Sequence, residues 1–329
     1  MRKTLHPIIG SFRLQPNHFA QILLLVCVAI AAASCENPYA PNADNGGNGN
    51  EDDGKAKITL RVSSLEQTYS EASANESKSS VHRAKQQISD VCTGLVFALY
   101  SSDGKKVKEI SQSSTDSGYG EAEMQVSPAT YTLVVIAHNG TTKPTMTDAK
   151  KITFGGKVTD TFYYYGQIEI ADGKSYDLQL KRAVAKFCLV VEDNTPTDVT
   201  QMKFYYTGGS STFDASTGLG CVNSKQTEER TVASDAYSAA SSYEIYTFPK
   251  SESGTIDLTI TALDGSSNSL YTRTFKSVPV KANTVTRYSG KLFGESSEDA
   301  RSTFNVTFSD EWTYNDYHFD SESSDIVAQ

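Results

Sequence analysis

Five cysteines and five histidines in 329 residues leave little material for metal centres or a disulfide framework. There is one tryptophan. No apolar run reaches the ~18–20 residues that a membrane-crossing helix needs. The longest, ILLLVCVAIAAA at residues 22–33, would make ~18 Å of helix against a ~30 Å hydrocarbon core. No glycine-rich phosphate loop follows a strand-like run, and neither HExxH nor GxSxG occurs. The sequence therefore points away from an enzyme and calls for no cofactor. A net charge of −9 argues against nucleic acid as a partner.

The amino terminus is organised around Cys35. Arg2, Lys3 and Arg13 precede the short apolar run, no acidic residue lies before Cys35, and small residues lead into it in AAASC. A basic start, a greasy middle and a small-residue end describe a secretory signal peptide over 1–34. An ordinary cleavage site would need no cysteine. Small-small-Cys resembles the lipobox of bacterial lipoproteins, with Ala32 where leucine is favoured. That resemblance implies that the Cys35 thiol carries diacylglyceryl and becomes the new N-terminus, with palmitate-type acyl chains in the membrane. Several such chains hold a protein where one would not, at ~0.8 kcal/mol per buried methylene.

Residues 35–56 follow as a tether rich in Asn, Gly, Asp and Pro, too polar to offset the entropy of ordering. Removing 1–34 takes away three basic residues, leaving 27 Lys and Arg against 39 Asp and Glu, a net charge of −12. Cys27 leaves with the signal peptide. Cys92, Cys188 and Cys221 remain, an odd set that allows one bridge at most. The reading is no disulfide, with Cys188 in AKFCLVV as a buried small hydrophobe. His82, His138 and His318 are the remaining histidines, and none lies in a Cys/His protease context.

Beyond the tether the chain reads as strands. Ile58, Leu60 and Val62 alternate with Lys57, Thr59 and Arg61. GLVFALY before SSDGKK, TYTLVVIAHNG, a hairpin expected around ADGK at 171–174, and GTIDLTITALDG continue the series. Short helices are expected only within 65–90 and 225–240. Short strands with Gly, Asn and Asp turns mean an all-β chain of sandwich class. Its length suggests two sandwiches, 57–181 and 182–320, with a tail at 321–329 and a tight connection near Arg182.

Several phrases resemble the fimbrillin superfamily, whose members build type V fimbriae: LVFALYSSDGKKV, GYGEAEMQVSPATYTLVVIAHNG, LKRAVAKFCLVVED and VPVKANTVTRYSGKLFG. Ala129 stands where relatives often have glycine. The arrangement is nearest to FimB-type anchor and accessory subunits. The resemblance implies two tandem transthyretin-like, Greek-key sandwiches on an outer-membrane lipoprotein exposed at the surface in a fimbrium. Other fimbrial subunits would be its partners, with the outer membrane held through acyl chains and surface ligands met in cell adhesion.

It also implies assembly by strand exchange. A first strand fills the edge of the N-terminal sandwich, an Arg- or Lys-specific protease removes it in polymerising members, and a neighbour's strand takes its place. Ile58, Leu60 and Val62 mark the candidate first strand, with Arg61 and Arg83 as candidate cut sites. Phe304, Val306 and Phe308 mark a candidate donor strand that could equally close the chain's own second sandwich. Anchor-type relatives are not cut. A second reading is a carbohydrate-binding surface lipoprotein, with Tyr163, Tyr164 and Tyr165 and Tyr205 and Tyr206 offering faces to sugars.

Overall fold

The computed structural model describes residues 54–65 and 87–293, together with the backbone of two strands at 313–319 and 325–327. Cys35, Arg83, Phe304, Val306 and Phe308 lie outside the described residues. Among those described, no helix is long and apolar enough to cross a membrane.

The first half is a sandwich made from one seven-stranded sheet folded on itself. It holds β1 (Ala56–Leu65), β2 (Gly94–Tyr100), β3 (Lys106–Ser113), β4 (Glu121–Val126), β5 (Thr130–His138), β7 (Thr161–Glu169) and β8 (Ser175–Arg182) in the order β3-β2-β5-β7-β8-β1-β4. The fold line lies between β7 and β8, which pair only at Phe162↔Arg182 and Tyr163↔Lys181. The expected ADGK hairpin is therefore a turn whose two strands are unpaired beside it and meet only at their far ends. Gly173, at φ 70°, makes the turn, and its N–H bonds Lys57 rather than closing a ladder. Buried residues of these strands, among them Leu60, Phe97, Met124, Leu133, Phe162 and Leu180, form one core, with Ile110 of β3 packed at its margin.

The second half has two sheets. One runs β13-β10-β15-β16-β19, from β10 (Gln201–Thr207), β13 (Lys225–Thr231), β15 (Gly254–Leu263), β16 (Ser269–Val280) and β19 (Asp325–Val327). The other runs β14-β9-β17-β18, from β9 (Ala185–Val191), β14 (Ser241–Thr247), β17 (Thr284–Gly290) and β18 (Thr313–Phe319). Phe187, Phe204, Tyr206, Leu258, Phe275 and Tyr288 lie in the core they enclose. Both C-terminal strands add in parallel, β18 to β17 and β19 to β16, so the chain's end pairs with both sheets of its own second sandwich. Part of the segment expected as a tail is thus a strand.

Where a helix is expected at 225–240, Lys225–Thr231 is a strand paired with β10 along its whole length. Tertiary pairing overrides a polar composition that reads as helical in isolation. Only Ser234–Tyr237 beyond it turns, as a single 3-10 helix. Within 65–90 the described helix is one turn, α1 (Ile88–Val91).

A third apolar cluster lies where the two halves meet. Val96, Ala98 and Tyr100 of β2 and Val134 and Ile136 of β5 pack with Val184, Cys188, Phe213, Phe248 and Val285. This explains the unbroken apolar runs at 94–100 and 133–137. Both faces of those strands are buried, so alternation disappears. A small sheet from both halves, β6 (Ile152–Thr153), β11 (Thr212–Asp214) and β12 (Leu219–Gly220), covers the same zone. Tyr163 meets Phe213 edge-on at 4.9 Å, and Phe213 meets Phe248 at 5.0 Å.

Candidate functional site

The feature with the most chemistry to explain is the place of β1. It is the earliest described strand, yet it sits inside a sheet, antiparallel to β4 on one side and parallel to β8 on the other. It begins at Ala56, one residue inside the expected tether. Among the described residues β4 has no other pairing partner in the sheet: the order ends β8-β1-β4. Taking β1 away would leave β4 with no ladder and β8 with an open edge, each with unpaired N–H and C=O groups.

Alternation sets the strand's two faces. Ala56, Ile58 and Leu60 are buried, with Leu60 fully so, and fully burying a side chain the size of Ile58 or Leu60 stabilises by about 1.5–3 kcal/mol. Val62 packs at the margin of the same core. The grip is firmest over the first five residues. From Val62 onward every residue is half-buried, and a bulge between Val62 and Ser64 shifts the register on β8. There Ser63 Oγ donates to the Leu178 carbonyl at 3.1 Å. Beyond it, Ser63, Ser64 and Leu65 border a cleft of about 450 Å³ shared with Ile88 and Tyr119.

The outward face is a charge ladder. Arg61 stands opposite Glu121 on β4 and Asp177 on β8. Its Nε donates to Glu121 Oε2 at 3.0 Å and its Nη2 to Glu121 Oε1 at 3.2 Å. The bond to Glu121 and the nearby Asp177 push the guanidinium's pKa further up. Lys57 Nζ lies 2.8 Å from Glu123 Oε2, and the Lys57 backbone N–H donates to Asp172 Oδ1 at 3.0 Å. Local chemistry presents Glu121 to the strand. Gly120, at φ 96°, makes the turn into β4, and Gln112 holds both the Gly120 N–H and the Glu121 carbonyl. Arg61 itself is half-exposed, with its backbone paired on both sides. A protease that reads its substrate as an extended, unpaired segment meets no such segment here.

The tyrosines divide as cross-strand packing requires. Tyr164 packs on the first core and Tyr163 on the cluster between the halves. Tyr206 is buried, its hydroxyl donating to Glu228 Oε1 at 2.7 Å. Tyr165 and Tyr205 are the exposed members of the two groups, at 40% and 39%.

Cys92, Cys188 and Cys221 are free thiols. Burial pushes the Cys92 and Cys188 thiols up, the opposite of what a nucleophilic cysteine requires. His138 is buried, which pushes its pKa down, and its Nδ1 accepts the Gly140 N–H at 3.1 Å. Among the described residues no group of His, Cys, Asp and Glu is placed to hold a metal ion.

Arg182, in the sequence no more than the boundary between the two halves, has a structural role. It is buried, bonded to Asp160 and Asn283, and lies 4.4 Å over the Phe162 ring. The only signal for it was an arginine closing an alternating strand just before an apolar run.

The model of a family of unknown function, DUF6562, matches residues 50–328. No curated protein matches the chain. Solved structures similar to it include a candidate cell adhesion protein from Bacteroides ovatus, 12% identical, with a TM-score of 0.44 over 80% of this chain and 99% of that one. The fimbrial anchor protein Mfa2 from Porphyromonas gingivalis is 10% identical, with a TM-score of 0.37 over 66% and 81%. A fimbrial assembly protein from Parabacteroides distasonis is 10% identical, with a TM-score of 0.37 over 72% and 90%. Scores below 0.5 make these distant likenesses, without weight for the site.

Proposed function

We propose, for this chain, which belongs to the family of unknown function DUF6562, the role of a structural subunit held at the cell surface by acyl chains on Cys35. It ties a fimbrial filament to the outer membrane as an anchor or accessory component and assembles with neighbouring subunits by strand complementation. The reading assigns it no catalytic activity.

The observation that carries it is the seat of β1. The earliest described strand, fixed by its alternate side chains, is all that pairs β4 into the sheet among the described residues. This is the arrangement strand complementation needs, since a replaceable strand must supply both a ladder and a row of core side chains. The fimbrillin-like phrases and the lipobox-like Cys35 supply the setting. Arg61, paired along both edges, supports an uncut subunit: a donated strand would displace β1 from its seat while the chain stays continuous with its anchor.

The experiment is fractionation of cells with intact-mass measurement. The wild-type protein is expected in the membrane fraction, bearing acyl mass at Cys35 and sedimenting with sheared filaments. Cys35→Ser is expected in the soluble fraction. A soluble wild-type protein without acyl mass or attached filament would overturn the reading. The carbohydrate-binding alternative rests on Tyr165 and Tyr205, the exposed tyrosines. Glycan-array binding lost in Tyr165→Ala or Tyr205→Ala would favour it.

A further inference from the structure

The seat of β1 has a chemistry of its own. Glu121 and Glu123 line it on β4, and Asp177 lines it on β8. Lys181, also outward on β8, lies beyond the last pair, Leu65↔Leu180. The acidic groups meet two basic residues four positions apart, Lys57 and Arg61, on the outward face of β1. Inward, the seat takes Ala56, Ile58, Leu60 and Val62 in turn.

The chain's own candidate donor does not match. Residues 302–329 contain no lysine or arginine and six acidic residues. If Phe304, Val306 and Phe308 were to fill the inward positions, Thr303, Asn305 and Thr307 would face outward, with Asp310 and Glu311 close behind.

We propose that the seat of β1 is charge-coded. It takes an alternating strand with basic residues at two outward positions four apart, and it excludes the C-terminal segment of a second copy of this chain. Apart from a first strand like β1 itself, the donor that could enter it is therefore a basic-laddered strand from a different protein. This rests on the strand-complementation reading above. The physics is that of cross-strand pairs: opposite charges facing each other on one sheet surface attract, and like charges repel by a comparable amount. Any one exposed pair contributes little. Here one substitution set exchanges two attractions for two repulsions, and the effects add.

The test uses the mature chain with the cleavage sequence of an unrelated protease placed within residues 66–86, so that β1 is severed after folding but not removed. Three fluorescent peptides then compete for the seat: residues 54–65, the same peptide with Lys57→Glu and Arg61→Glu, and residues 302–313. The first is expected to enter, and the other two to bind at least about tenfold more weakly. Glu121→Lys with Asp177→Lys in the chain is expected to restore the charge-reversed peptide and to weaken the first. Raising salt to ~1 M is expected to narrow the preference. Binding of residues 302–313 within about twofold of residues 54–65 would overturn the charge code while leaving strand exchange intact. Entry by none of the peptides, residues 54–65 included, would sink strand exchange itself and the code with it.

Discussion

Arg182 and Asp160 form a bidentate pair at the corner where the first sandwich meets the second half of the chain. Arg182 Nε donates to Asp160 Oδ1 at 2.9 Å and Nη2 to Asp160 Oδ2 at 3.1 Å. Nη1 reaches Asn283 Oδ1 at 3.0 Å, in the loop between β16 and β17, and Asn283 N–H bonds the Val184 carbonyl at 2.9 Å. One guanidinium thus joins β7, the end of β8 and a loop about a hundred residues later. Planar, always-charged geometry is what lets arginine serve three acceptors and an aromatic face together.

Breaking this pair from one side is expected to be severe. The Arg182 side chain is 2% exposed and that of Asp160 14%. Arg182→Ala would leave the carboxylate without its partner, a loss of about 3–5 kcal/mol for buried pairs. Urea denaturation would show it as a lower midpoint at unchanged slope. Arg182→Met with Asp160→Asn should lose less than the sum of the single changes, because the pair is coupled. Additive losses would show that the two do not act as a pair.

The two faces of β1 are expected to respond differently. Leu60→Ala empties a fully buried site and should cost about 2–5 kcal/mol. Arg61→Ala removes a half-exposed ion pair and should cost no more than about 1 kcal/mol. Hydrogen exchange gives a sharper check. Amides of Glu121–Val126 should lose protection in Leu60→Ala before those of β2 and β5, because β1 is the strand that pairs β4 into its sheet. Equal loss across all three strands would contradict a separable β1–β4 unit.

Much of this architecture is legible in the sequence, and the illegible parts share a cause. Period 2 at 56–62 marks β1 and the faces of Ile58, Leu60, Lys57 and Arg61, because alternation is a property of one strand alone. The unbroken runs at 94–100 and 133–137 can be read as strands, but not as strands buried twice, since their second cover comes from residues such as Phe213 and Phe248 far along the chain. The parallel partner of β1 is equally silent. Nothing in KITLRV names β8, and the Arg61–Asp177 juxtaposition spans more than a hundred residues. At 171–174 the turn residues are plain, yet a turn does not reveal that its strands part into opposite walls of a sandwich. Lys225–Thr231 looks helical because all seven of its residues are polar and only Glu228 is buried, facing Tyr206 and Arg230.

His138 gives stability a dependence on pH. Burial lowers its pKa below the ordinary 6.5, so on acidification the unfolded chain takes up this proton before the folded one. Its contribution is fully present above pH ~6.5 and is lost as pH falls below that value. The melting temperature should fall between pH 7.5 and 5.5, ahead of the carboxylates. Of these, Glu109 gains from its bonds to Lys106 and Lys143 despite the opposing effect of burial, and it loses that gain only below its ordinary 4.5. His138→Gln should be less stable at pH 7.5 but show a smaller fall on acidification. An unchanged fall would place the titration elsewhere.

Thiol counting tests burial and lipidation in one measurement. Cys92 is fully buried, Cys188 is 6% exposed and Cys221 is exposed, while Cys27 would leave with the signal peptide. A maleimide added to native protein extracted from membranes should therefore modify one thiol quickly, at Cys221, and two more after denaturation. Cys35, if acylated, has no free thiol and adds nothing to either count. Cys221→Ser should abolish the fast reaction and leave the slow pair unchanged. A total of four thiols, two of them fast, would mean that Cys35 is present and unmodified. The membrane attachment proposed through it would then fail, whatever the strands do.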